Sequence, residues 1–214
     1  MEAFTNIIFN IAGAQVSLLE LICTMSGLVC VFLAGRAKVA NFWVGYVYNI
    51  LLFLLFLDKH LYSSMLLQPI SFVINFLGHW RWTHPKEGEA NGEQRLKITT
   101  MPRKECIIGI AVIVVCALGW GGVLGNLGRL WPGTFPPAES PYLDAFTTIM
   151  IFGAQYLSAQ KHIECWIVWI IVDVAQIALY LSAGLIFMPA VSAIYLILAV
   201  MGLKEWRKQL KNQF

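Results

Sequence analysis

Charge is scarce in this chain. Only 13% of its 214 residues are Asp, Glu, Lys or Arg, about half the share of an average soluble domain. Apolar residues make up 58% and the mean hydropathy is +0.69, so the chain is built for lipid and not for bulk water. Other absences narrow the function. There is no phosphate-cradling glycine loop and no nucleotide fingerprint, which leaves no ATP engine. The five cysteines (Cys23, Cys30, Cys106, Cys116 and Cys165) include no CxxC pair and no neighbouring His cluster, so they read as small buried hydrophobes, neither a metal site nor a disulfide framework. No cofactor, metal or nucleic-acid partner is expected. Residues 1–15 have no basic stretch before an apolar run, so no cleavable signal peptide is expected either. A membrane-embedded enzyme would need a nucleophile, a carboxylate pair or a His cluster in one plane. Only Asp173 lies deep in an apolar run, and His60, His79, His84 and His162 fall at helix ends or in loops, so that class carries low weight.

Long apolar runs are what the chain does have. Hydrophobic stretches at about 17–34, 42–57, 61–80, 105–124, 142–158, 165–181 and 185–203 predict seven transmembrane helices and an all-α integral membrane fold. Residues 1–15 are expected to lie along the interface as a short helix. Residues 16–82 form a first three-helix unit and 83–103 an aqueous loop. Residues 104–124 supply a linking fourth helix, followed by an external loop at 125–141, with Trp131 and Phe135 at the interface. A second three-helix unit spans 142–206, and 207–214 form a basic tail. Pro69 should kink helix three. Thirteen of the fifteen Lys and Arg fall on one side of this topology, with Lys59 and Arg129 the two exceptions. The positive-inside rule then puts the N-terminus outside and the C-terminus in the cytoplasm of a multi-pass inner-membrane protein.

One stripe stands out. In helix six Trp166, Trp169, Asp173, Gln176 and Tyr180 recur at steps of three and four, the period of one helical face, among Ile, Val, Ala and Leu. A carboxylate at membrane depth costs about 2.5–3.5 kcal/mol even on insertion scales, so it should face a cavity or a partner. The plain alternative is a packing face whose Asp173 bonds a neighbouring helix; a binding site is favoured by about two to one, since an ionisable residue at that depth is functional by default. Helix three carries a second polar face, Gln68, Ser71, Asn75 and His79.

An internal repeat lines helix one with five, two with six and three with seven. Sliding the chain by 123 residues superposes Thr24 on Thr147, Lys38 on Lys161, Trp43 on Trp166 and Met65 on Met188. One further residue superposes Gly78-x-x-x-Trp82 on Gly202-x-x-x-Trp206. Parallel repeats about an axis along the membrane normal are a transporter arrangement, and a scaffold protein has no need of them. In the 123 register Tyr46 matches Trp169, Ile50 matches Asp173 and Phe53 matches Gln176, with Asn49 one step off the face. The expectation is an asymmetric pocket nearer helix six than helix two.

With these residues the chain resembles the PnuC family of vitamin transporters over essentially its whole length. The carriers of the resemblance are Trp166-x-x-Trp169-x-x-x-Asp173, Leu67-Gln68 and the two Gly-x-x-x-Trp endings. The resemblance implies a 3+1+3 parallel-repeat, SWEET-like fold, a homotrimer, and facilitated uptake made net by a cytoplasmic kinase that phosphorylates the product. It implies nicotinamide riboside as substrate, with thiamine, riboflavin and deoxynucleosides as the alternatives found among relatives. Trp166 and Trp169 would stack on a flat cation, Asp173 would balance its charge, and Gln68, Asn75 and Gln176 would meet a carboxamide and a sugar. Trp43, Tyr46, Ser71 and Tyr195 complete the candidate substrate-binding set; Trp43 and Tyr46 are as well placed to be interface anchors.

Overall fold

The computed structural model describes residues 7–11, 14–58, 62–90, 95–130, 141–182 and 187–213. Among the described residues seven helices follow one another: α1 (Leu18–Gly35), α2 (Ala40–Asp58), α3 (Tyr62–Thr83), α4 (Arg103–Leu130), α5 (Pro141–Ala159), α6 (Glu164–Ser182) and α7 (Phe187–Lys211). Among the described residues, four stretches are long and apolar enough to cross a membrane: α1, α2, Arg103–Asn126 of α4 and Met188–Lys211 of α7. The described residues before α1, 7–11 and 14–17, are not helical as expected. β1 (Ile7–Ile11) and β2 (Ala14–Ser17) form an antiparallel hairpin, Ile11 facing Ala14 and Asn10 facing Gln15. The β-branched residues Ile7, Ile8, Ile11 and Val16 suit a pleated ladder better than a helical turn. Ser17 then caps α1 through a capping box: its hydroxyl accepts from Glu20 N at 3.2 Å, while its own N–H donates to the Glu20 carboxylate at 2.7 Å.

Two further boundaries differ from expectation. α4 continues through Gly125–Leu130, where a loop is expected, and α7 runs on into the basic tail. Trp131 and Phe135 lie outside the described residues. α3 passes Pro69 without interruption. The hydrophilic stretch after α3 is also more than an aqueous loop, because Leu96 and Ile98 are buried in the main core. Thr99 pairs with the α5–α6 turn, donating to Lys161 O (3.1 Å) and accepting from Ile163 N (3.0 Å). The Lys161 ammonium, itself buried, donates to Leu96 O at 2.7 Å and lies 4.4 Å from the centre of the Trp82 ring. Those polar contacts let a charged-looking segment fold back onto helix ends.

The helices pack in a closed circuit. α1 lies against α2 and α7, α3 against α2 and α5, and α6 against α5 and α7, while α4 rests on α5. Ile107, Ile108, Ile110 and Val115 point outward from α4, as expected of a helix wetted by lipid on most of its surface.

The same local structure occurs twice, 124 residues apart. Ala37 and Lys161 both have positive φ (52° and 61°). Lys38 N donates to Leu33 O (3.0 Å) as His162 N does to Leu157 O (2.9 Å), and Phe42 N to Val39 O as Trp166 N to Ile163 O. The tertiary contacts repeat as well, and they cross between units. Trp82 on α3 donates its indole N–H to Ser158 O at the end of α5 (3.1 Å), and Trp206 on α7 donates to Ala34 O at the end of α1 (3.0 Å). Each satisfies a last-turn carbonyl that the helix itself leaves unpaired. Phe42 meets Trp82 edge-on at 4.9 Å, and Trp166 meets Trp206 edge-on at 5.6 Å. The repeat register is therefore 124 throughout, not 123, and Trp166 corresponds to Phe42 instead of Trp43.

Candidate functional site

The circuit of six helices surrounds a cavity of about 890 Å3, within the size range of small-molecule sites. Its floor is aromatic, with Phe42 and Trp166 resting on the buried Trp82–Trp206 cluster. Two matched stripes face each other across it. From α6 come Trp166, Trp169, Val172, Asp173, Gln176 and Tyr180; from α2 come Phe42, Gly45, Tyr48, Asn49, Leu52 and Phe56. Each member of the first set lies 124 positions after its counterpart in the second.

Eight of the ten sequence candidates line this cavity: Trp166, Trp169, Asp173, Gln176, Gln68, Ser71, Asn75 and Tyr195. Trp43 and Tyr46 do not. Trp43 is 63% exposed on the outer side of α2. The Tyr46 hydroxyl lies 3.0 Å from His79 Nδ1, and His79 stacks on Phe42 at 5.3 Å. In the 123 register both match the α6 stripe, and the change to 124 turns α2 by one residue, about 100° around its axis. Asn49, one step off the face in the 123 register, lines the cavity. Tyr48, Asn41 and Gln155 are further polar members that the sequence reading missed. Only Asn41 and Gln155 had a local signal, as amides inside apolar stretches.

Hydrogen bonding divides the polar lining into two kinds. Asn75 donates to Phe42 O at 3.0 Å, over Gly45, where a Cβ would come within 2.9 Å of its amide. Asn41 donates to Lys38 O, and Gln155 donates to Ser71 Oγ at 3.3 Å. Tyr48 and Tyr195 hydrogen-bond to each other above Gly27, where a Cβ would overlap the Tyr195 hydroxyl. Asn75, Gln155 and the tyrosine pair tie neighbouring helices together, while Asn41 closes the turn before α2. Asp173, Gln176 and Asn49 have no hydrogen-bond partner among the described residues, although Asp173 is only 6% exposed. The packing alternative required a bond from Asp173 to a neighbouring helix, and none is present there. Trp166 plays a different part from the platform expected of it. It is 2% exposed and wedged against Gly202 and Gly35, so it forms the floor, whereas Trp169 is only half-buried and offers more of its ring.

Among the described lining residues the charged ones are acidic, Glu20 and Asp173, and none is Lys, Arg or His. Glu20 is committed to the α1 cap. A closed helical circuit with a central aromatic and carboxylate-bearing cavity, and apolar helices around it, is the architecture of a membrane carrier of small molecules.

The sequence profile of the nicotinamide mononucleotide transporter family matches residues 17–208, and the chain belongs to that family. The nicotinamide riboside transporter PnuC of Escherichia coli K12 is 26% identical over 91% of this chain and 87% of its own length. The riboflavin/roseoflavin transporter RibM of Streptomyces davaonensis is 22% identical over 87% of this chain and 83% of its own. The crystal structure of the vitamin B3 transporter PnuC superposes with a TM-score of 0.69, covering 92% of this chain and 83% of that one, at 22% identity. That likeness establishes the shared fold.

Proposed function

We propose that this protein carries nicotinamide riboside across the bacterial inner membrane by facilitated diffusion, with net uptake secured by a cytoplasmic kinase that phosphorylates the product. The carrying observation is the acid-only charge of the cavity. A pyridinium ring can stack on Trp169 with its charge near Asp173, worth about 2 kcal/mol or more when desolvated. A phosphorylated nucleotide would bring about two negative charges toward those carboxylates with no cation among the described lining residues to meet them. The riboside therefore fits where the mononucleotide does not. The candidate contacts are Trp169, Asp173, Gln176 and Gln68, above the Trp166 floor.

The closed circuit and the crossed 124-residue repeats support a 3+1+3 parallel-repeat, SWEET-like plan of seven transmembrane helices, with α4 as the link. α1, α3, α5 and α7 end together, and the basic residues gather at that end, which supports a cytoplasmic C-terminus. A homotrimer is expected from the family resemblance. Cysteine labels at Glu87 should then react from the cytoplasmic side and labels at Pro136 from outside; reaction of both from one side would overturn this topology.

The decisive experiment is uptake into liposomes with the membrane potential clamped, since a cation gains about 2.3 kcal/mol per 100 mV. Nicotinamide riboside should enter until its concentrations match, and its phosphate should not compete. Accumulation driven by a proton or sodium gradient, or preference for the phosphate, would refute the reading. The riboflavin-transporting relative motivates the second reading, an uncharged flat vitamin; thiamine and deoxynucleosides complete the competitor panel.

A further inference from the structure

We infer that Asn49 is a specificity-determining contact on the side of the cavity opposite Asp173, so that the substrate lies between α2 and α6 and is held by both. The inference rests on the site reading above. Three observations carry it. Asn49 and Asp173 occupy the same position in the two repeats, in a register fixed by backbone hydrogen bonds, positive-φ residues and crossed indole caps. Both line the one cavity. Both also lack a hydrogen-bond partner among the described residues, whereas Asn75 and Gln155 donate their amides to neighbouring helices and Asn41 donates to Lys38 O in the turn before its own helix. A carboxamide left uncommitted in an apolar setting is costly unless something bonds it. Substrate hydroxyls or a substrate carboxamide supply the matching donors and acceptors. Sequence pairing alone pointed the other way, because a one-residue error in register sets Ile50 opposite Asp173.

A charge transplant tests this. Calorimetric affinities are measured for nicotinamide riboside and for its dihydropyridine form, which keeps the skeleton without the ring charge. Melting temperatures are recorded alongside. Asp173→Asn should weaken the cation by roughly ten- to a hundredfold, the range for one charge-assisted bond, and spare the neutral form. Adding Asn49→Asp to it should restore most of the preference for the cation, since the carboxylate returns to the same cavity from the facing helix. Asn49→Leu, alone, should weaken both ligands by about tenfold or less at unchanged melting temperature. If Asp173→Asn acts as expected but the transplant restores nothing and Asn49→Leu binds normally, the inference falls while the site reading stands. If Asp173→Asn changes neither ligand, the site reading itself fails, and this inference with it. Should the double variant unfold, the Asn49→Leu affinities decide alone.

Discussion

Gly202→Ala is a one-methyl change whose consequence can be worked through atom by atom. A Cβ at position 202 would stand 2.7 Å from Trp166 Cη2 and 2.8 Å from both Cε2 and Cζ2. Carbon atoms rest at about 3.5–4.0 Å, so the ring must retreat by roughly 0.7 Å or more. It has little freedom: Trp206 meets it edge-on at 5.6 Å, and Gly202 Cα already sits 3.2 Å from where a Cβ on Gly35 would be. The open direction is the cavity. Overpacking of this kind costs about 1–3 kcal/mol, and alanine in a helix returns about 0.5–1 kcal/mol. The net loss is then about 0–2.5 kcal/mol, up to several degrees for a chain of this size, together with weaker binding because the floor rises. Gly109→Ala on α4 is the control, since nothing lies within 4 Å of its Cβ; it should melt at or slightly above wild type and bind normally. Thermal unfolding in detergent and calorimetric titration of nicotinamide riboside read both effects. Trp166→Phe in the Gly202→Ala background should recover part of the stability, as expected for touching residues. Equal melting and equal affinity for Gly202→Ala and Gly109→Ala would refute the account of the floor.

Trp82→Phe and Trp206→Phe each leave a helix-end carbonyl without its indole donor, so each should lower stability by about 1–3 kcal/mol; a smaller effect in either, read from thermal melts, would mean water replaces the indole. Trp169→Ala should cost about 1–3 kcal/mol of ligand binding by loss of stacking while melting near wild type, checked by calorimetry. The His162 side chain, outside the spans and 2.9 Å from the Thr99 hydroxyl, is held below its ordinary value of 6.5, chiefly by burial, with Arg81 lowering it slightly and Glu164 and Glu105 opposing. A histidine whose folded pKa is depressed stabilises the fold above about 6.5, and that contribution is lost as the pH falls below it. Protection factors around Thr99 and Ile163, with the intrinsic pH dependence of exchange divided out, should therefore fall as the pH drops from 7.5 to 5.5, and His162→Gln should flatten that fall; a wild-type protection profile already flat would refute it.

The helices were legible in the sequence because lipid leaves an apolar run few other ways to satisfy its backbone. Expected and observed spans agree within about three residues for α1, α2, α3, α5 and α6. Ends without a lipid-facing signature were not legible: the extensions of α4 and α7, the N-terminal hairpin and the docking of Leu96 and Ile98 depend on contacts with distant residues. The α6 stripe was readable because its polar residues stand out against Ile, Val and Leu. Its counterpart on α2 was not, since Gly45, Leu52 and Phe56 resemble any membrane helix.

The sequence by itself determined the lipid-spanning character, the one-sided placement of Lys and Arg, the polar face around Asp173 and the existence of a repeat. Only the tertiary structure decided the register of that repeat. Sparse identities tolerate a shift of one residue, but backbone hydrogen bonds and the crossed indole caps do not. A shift of one residue rotates a helix by about 100°, and that rotation separates the outward-facing Trp43 and the core-packed Tyr46 from the cavity-lining Asn49.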